Sequence, residues 1–315
     1  MCFMTISPVI LGVLLRKEYK FLIKEYAFLT YNYMGFITLF FCVSIIYRLT
    51  VLMLRIKADV LKNATLSMFL TLMLCFYSFY ESNVIKIEKV VIKSPKITEN
   101  LRIGYISDLH HGHLVGDEFV EKVINKLKEE RVELLLFGGD ILEVGWDNNA
   151  ELWSNYNPIL GKFGVSGNHE FYMGYEKAKM VFEKMGVTLI DNKVVQVKGI
   201  NIVGLPDEVY QTQFGGKIED VKSLTKLSEK FTILLKHRPT VVNAVNIDLQ
   251  LSGHTHKGQI LPFSLVTKTF YPLHSGLYEK NNYKIYVSRG VGTWGPRMRL
   301  LSPPEITVIE LVKGN

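Results

Sequence analysis

The sequence predicts an α/β domain carried behind two long apolar helices. The first sign is a shift in composition near Glu81: residues 1–15, 26–47 and 63–80 carry no charge, whereas charged residues recur every few positions afterwards. The second is an alternation, after that point, of short apolar runs with stretches of helical spacing, the pattern of buried strands joined by helices. The third is that the apolar runs end repeatedly in Gly, Asp, Asn or His.

The stretch 26–47 is 22 uncharged residues rich in Phe, Ile and Leu, and 63–80 adds 18 more, closing on Tyr77, Phe79 and Tyr80. Roughly 20 apolar residues cross the hydrocarbon core as a helix, and aromatic rings suit its edge. No amphipathic partner helices lie nearby to cover the two stretches as buried core helices. The stretch 1–15, with Pro8, fits either a short span or the remnant of one, and it lacks the basic start and small-residue cleavage site of a signal peptide. Residues 1–80 therefore read as a membrane anchor with two or three spans, and 81–315 as one α/β domain.

Basic residues fall in three equal groups: Arg16, Lys17, Lys20, Lys24; Arg48, Arg55, Lys57, Lys62; Lys86, Lys89, Lys93, Lys96. If 1–15 also crosses, the outer two groups share a side and outnumber the middle one, which tips the domain toward the cytoplasm. The net charge of +7 and pI near 9.0 owe much to these flanking residues, so they do not by themselves call for nucleic acid. Cys2, Cys42 and Cys75 all lie in the apolar part, so the domain uses neither disulfides nor thiolate ligands.

Within the domain, 84–92 suits an edge strand or linker. Buried strands are expected at 101–107 (LRIGYIS), 133–137 (ELLLF), 163–166, 231–235 (FTILL) and 247–251, with closing strands at 285–287 and 306–311. Three more, at 187–190, 193–197 and 200–203, are joined by Asp191-Asn192 and Lys198-Gly199 turns. Phe119, Val123, Ile124 and Leu127 give 117–130 a helical face; 150–163 reads as a helix interrupted near Pro158, 175–185 as a helix stopped by Gly186, 218–229 as a helix and 241–245 as a short one.

Asp108, Asp140, Asn168, His237 and His254 each follow the C-terminal end of such a strand. Open α/β sheets bind ligands outside those ends, and five such ends are read here as belonging to one sheet. Asp108 and His110 are two apart, as are His254 and His256, a spacing that turns both side chains toward one point. Glycines before Asp140, Asn168 and His254 fit turns that bring backbone close to a ligand. Carboxylate, amide and imidazole groups are ligands for hard or borderline divalent metals.

In this order and context, Asp108-Leu109-His110, Gly139-Asp140, Gly167-Asn168-His169-Glu170, Lys236-His237-Arg238 and Gly253-His254-Thr255-His256 resemble the calcineurin-like metallophosphoesterase family. The resemblance covers about 100–260. It implies a two-layer β-sandwich flanked by helices with two divalent ions (Mn, Fe, Zn or Co) at its top. By the family pattern Asp108, His110 and His256 bind the first ion, Asn168, His237 and His254 the second, and Asp140 bridges them. His169 stabilises or protonates the leaving oxygen. Two ions ~3.5–4 Å apart need a shared anionic ligand, and a hydroxide between them, its pKa lowered toward neutrality, can attack phosphorus in line. Asn168 is neutral and keeps the site cationic toward an anionic substrate.

The loop Gly292-Thr293-Trp294-Gly295-Pro296-Arg297-Met298-Arg299 resembles the C-terminal loop of a membrane-associated bacterial branch of that family. That branch includes phosphodiesterases acting on UDP-2,3-diacylglucosamine, a lipid A precursor. Arg238, Trp294, Arg297 and Arg299 are thus candidate substrate contacts, against readings of Trp294 as loop packing, Arg238 as a carboxylate's partner and the other arginines as solvated. His111 and His113 are either substrate contacts or polar loop residues, Glu170 a group orienting an imidazole, and His274 a surface loop residue.

The expectation is a membrane-anchored, two-metal phosphodiesterase or pyrophosphatase acting on a lipid-linked or nucleotide phosphoester. A nuclease of the same fold has only the basic pI in its favour. A metal-free binding scaffold should have lost ligands, and none is missing. A channel should show charged or His residues at the span centres, and none is there.

Overall fold

The strands of this domain are apolar on both faces because both faces are covered. In a computed structural model, which describes residues 23–56, 59–145, 149–225, 229–243, 246–280 and 282–314, two six-stranded sheets stack face to face and helices cover the outside. The stretch 1–15 and Arg16, Lys17, Lys20 and Lys57 lie outside the described residues.

In chain order the elements are α1 (Ile23–Met53), α2 (Val60–Glu81), β1 (Lys86–Ser94), β2 (Leu101–Ile106), α3 (Asp117–Glu129), β3 (Leu134–Phe137), α4 (Glu151–Ser154), β4 (Lys162–Gly164), α5 (Asn168–Met173), α6 (Tyr175–Lys184), β5 (Thr188–Leu189), β6 (Lys193–Val197), β7 (Ile200–Leu205), α7 (Val209–Thr212), α8 (Val221–Thr225), β8 (Thr232–Lys236), β9 (Leu249–Ser252), α9 (Phe263–Phe270), β10 (Gly276–Lys280), β11 (Tyr283–Val287) and β12 (Glu305–Lys313). The first sheet runs β1-β12-β2-β3-β4-β5 and the second β10-β11-β9-β8-β7-β6. The two-residue side-chain period sorts each strand. Leu134 and Leu136 of β3 face the core between the sheets, with Ile103 and Tyr105 of β2, Ile233 and Leu235 of β8, and Leu251 of β9. Leu135 and Phe137 face outward, where α3 and α6 cover them with Val123, Leu127 and Phe182.

The parallel strands β2, β3 and β4 of one sheet and β8 and β9 of the other end at the same edge of the sandwich. The five ends read as one sheet therefore belong to two. Other departures are local. Only Val221–Thr225 is helical in the stretch expected at 218–229, of which 226–228 are not described, and 241–243 is not helical. The 150–163 helix shortens to α4, because Pro158 forces a turn before β4. α5, α9 and β10 are elements the sequence did not announce.

α1 and α2 are long and apolar enough to cross a membrane. Asp59 caps α2 by accepting from the Leu61 and Lys62 amides. Most of their apolar side chains point away from the protein. The exception is the face of α1 around Ala27, Asn32, Gly35 and Leu39, which lies against the 292–301 loop. At about 1.5 Å per residue, α1's 31 residues exceed the ~30 Å of a bilayer core, so its early turns are free to serve as a wall of the domain.

Leu136 is fully buried between the sheets. Leu136→Ala should destabilise the domain by about 3 kcal/mol and lower its unfolding temperature by roughly 5–12 °C, read by a thermal melt of the intact chain in detergent.

Candidate metal centre

Each proposed ligand sits on the first residues after a strand, and the local backbone is unusual. Asp108, His110, Asp140, His254 and His256 all have φ between +47° and +69°. Asp, Asn and His tolerate this left-handed region better than most residues, and such strain persists only where surroundings enforce it. Two glycines explain how the loops approach. A Cβ on Gly167 would land on the Asp140 carboxylate, and one on Gly253 would land on that of Asp108.

The loops are tied by one carboxylate. Glu170, fully buried at the start of α5, accepts from the amides of Asp140 (2.9 Å), Ile141 (2.8 Å), Leu142 (3.0 Å) and Gly167 (2.7 Å). It orients backbone, not the imidazole expected of it. Asp108 does similar work, accepting from the His254 amide at 2.9 Å across the two sheets, and the His169 amide donates to Asp140 Oδ1 at 2.8 Å.

Two trios of donor atoms result, Asp108/His110/His256 and Asp140/His237/His254, each within 4.8 Å. His110 Nε2 and His256 Nε2 are 3.1 Å apart, and His254 Nδ1 and His237 Nε2 3.2 Å. Bonds of ~2.1 Å to a common ion place ligand atoms roughly 3.0–3.4 Å apart, so both pairs fit cation ligation. His237 Nδ1 donates to the Gly138 carbonyl (2.8 Å) and turns Nε2 toward Asp140 Oδ2 (3.1 Å). His110 Nδ1 donates to Glu143 (3.0 Å) in the same way. Asn168 Oδ1 is buried with no hydrogen-bond partner among the described residues, as a ligand oxygen should be. The residues fit divalent ions.

Glu143 and Tyr271 also reach the site, though neither was among the candidates. Glu143 bridges His110 and His169 Nδ1 (2.9 Å), giving a third trio; its only signal was an acid three residues after Asp140. Tyr271 places its hydroxyl 2.9 Å from His254 Nε2, and nothing local marks it. Burial disfavours the His169 cation, but the Asp140 and Glu143 carboxylates outweigh it and raise the imidazole to about 9. Burial also opposes the Glu143 charge, yet His169 and His110 hold that carboxyl down to about 2.

The substrate-contact candidates divide. Trp294 is 57% exposed beside the His169 ring, with its backbone held by Gln259. Arg238 binds the Asp207 carboxylate through Nε (2.8 Å) and the Tyr271 hydroxyl through Nη1 (3.1 Å). Arg297 donates to the Leu114 carbonyl (2.7 Å) and stacks on Phe119. Arg299 is not solvated: it is fully buried, with donors on carbonyls of Arg289, Gly290, Gly292 and Ser302, and it braces the loop carrying His256. His111 is buried against Asp117, and His113 lines the mouth beside Trp294. His274 is buried, not a surface residue; its carbonyl accepts from Thr255.

Residues 101–258 match the model of the calcineurin-like phosphoesterase family, and the chain belongs to that family. An uncharacterized metallophosphoesterase of Aquifex aeolicus is 32% identical over 262 residues, covering 79% of this chain and all of that protein. One of Helicobacter pylori is 34% identical over 239 residues, 73% of this chain; the chain spans only 65% of that protein's length. A Danio rerio protein named a transmembrane protein with metallophosphoesterase domain is 27% identical over 274 residues, 79% of this chain and 63% of its own.

Glu170→Ala would leave four buried amides without an acceptor. At about 1–3 kcal/mol for an unsatisfied buried donor, the expected result is a loss of at least ~3 kcal/mol in thermal unfolding, together with weaker manganese binding by titration calorimetry.

Proposed function

We propose that the chain is a membrane-anchored, two-metal phosphoesterase that cleaves a phosphodiester or pyrophosphate bond of a lipid-linked or nucleotide substrate, UDP-2,3-diacylglucosamine being one candidate. The observation that carries the reading is the pair of donor trios at one end of the sandwich, with the buried Asn168 oxygen left without a partner among the described residues. Asp108, His110 and His256 would hold one cation, Asn168, His237 and His254 the other, with Asp140 shared. Bound divalent ions supply Lewis acidity toward phosphoryl oxygens and a nucleophile at neutral pH.

The chain supplies the rest. His169 stands at the cluster's edge with its ring oriented by Glu143 and its amide on Asp140; a cationic imidazole there can hand a proton to a leaving oxygen. Trp294 offers an exposed ring at the mouth, suited to an apolar or aromatic substrate part. The anchor reading rests on α1 and α2, and the name of the zebrafish relative agrees with it. By its basic groups the domain lies on the cytoplasmic side.

Asp140→Asn should lower turnover of bis-p-nitrophenyl phosphate with manganese by at least about 10²-fold, since several kcal/mol of transition-state stabilisation depend on the ions; unchanged turnover would end the reading. His169→Ala should lower kcat by about 10²–10⁴-fold while elemental analysis finds the same metal content. Loss of metal along with rate would make His169 a ligand instead.

A further inference from the structure

α9 alone among the described helices buries none of its side chains. Phe263, Leu265, Val266 and Phe270 are all exposed, Phe270 by 75% and Leu265 by 63%. The i, i+3, i+7 spacing puts Phe263, Val266 and Phe270 along one stripe, and Leu265 widens it. Ser264 and Thr267 are the half-buried positions that turn toward the protein. An eight-residue helix with its apolar side outward has no stabilising reason to be there in water.

Its position says what covers it. The residues before it, Ile260 and Leu261, pack in one cluster with Leu39 of α1, Leu74 and Cys75 of α2, and Met298 and Leu300. The chain passes from that cluster through Pro262 into α9, so α9 starts on the side of the domain where the two long helices pack. Leu301, 56% exposed and held to Glu81 at the end of α2 through its amide (2.7 Å), extends the same rim. Lys268 is exposed on α9 itself and Lys257 lies close by, where ammonium groups meet anionic headgroups. Tyr271, the residue after α9, touches both His254 and Arg238.

We propose that α9 is an interfacial helix that lies in the lipid headgroup boundary and holds the mouth of the donor cluster against the bilayer surface. The occupant of its apolar face is lipid, not a second protein. This rests on the reading of α1 and α2 as membrane spans. Site and bilayer then form one surface, and a phosphoester whose apolar part stays in the membrane reaches the cluster without leaving it.

The test uses the full chain in phosphatidylcholine–phosphatidylglycerol vesicles containing brominated acyl chains. Leu265→Trp and Val266→Trp each add an indole to α9, and Lys179→Trp adds one on the exposed face of α6. The expected result is quenching of the added fluorescence at 265 and 266 by roughly half or more, as for a side chain ~5–10 Å into the boundary, with none at 179. Quenching at 265 and 266 no greater than at 179, in chains that alkaline carbonate does not extract, would overturn this inference and leave the anchor intact. Extraction by carbonate would overturn both.

Discussion

The centre depends on a single carboxylate that accepts from two loops at once. Glu170 gathers the amides of Asp140, Ile141 and Leu142 from the β3 loop and that of Gly167 from its own turn. Those donors are buried, and buried amides without partners are costly. Once they are satisfied, the Asp140 and Asn168 side chains have nowhere to go but the cluster. The glycines matter for the same reason: the loops touch backbone to carboxylate, and a Cβ at 167 or 253 would occupy the carboxylate's own place.

Charge in the centre is arranged to await cations. Asp108 and Asp140 are both buried, and the Asp140 charge opposes ionisation of Asp108. Imidazole nitrogens face one another at 3.1 and 3.2 Å. Divalent ions bound there would offset the carboxylate repulsion and draw on the same nitrogens, and folding would then be linked to metal binding. Glu143 and the Gly138 carbonyl fix which nitrogen of His110 and His237 is presented, the role outer partners usually play for metal-bound imidazoles.

The two long helices also pack against the domain. The Arg297 amide donates to Asn32 of α1, the Arg299 amide to the Ser78 carbonyl of α2, and the Leu301 amide to Glu81. The same loop presents Trp294 beside His169 and lets Arg299 brace the His256 segment. Any force on the helices therefore has a short path to the centre through packed, hydrogen-bonded groups.

Local pattern was enough to read the buried strands, the two apolar helices and the five pieces that carry Asp108, His110, Asp140, Asn168, His237, His254 and His256. Those are local properties: hydrophobic period, residue type and glycine next to a ligand are all read within a few positions. The tertiary structure alone decided that the five ends come from two sheets, that Glu143 and Tyr271 join the cluster, that Arg299 is buried while Trp294 is open, and that α9 faces outward. Each of these depends on partners far apart along the chain, such as Asn32 with Arg297 or Asp108 with His254. Local pattern carries no record of which distant surface will cover a side chain, and packing settles that only when the whole chain is folded.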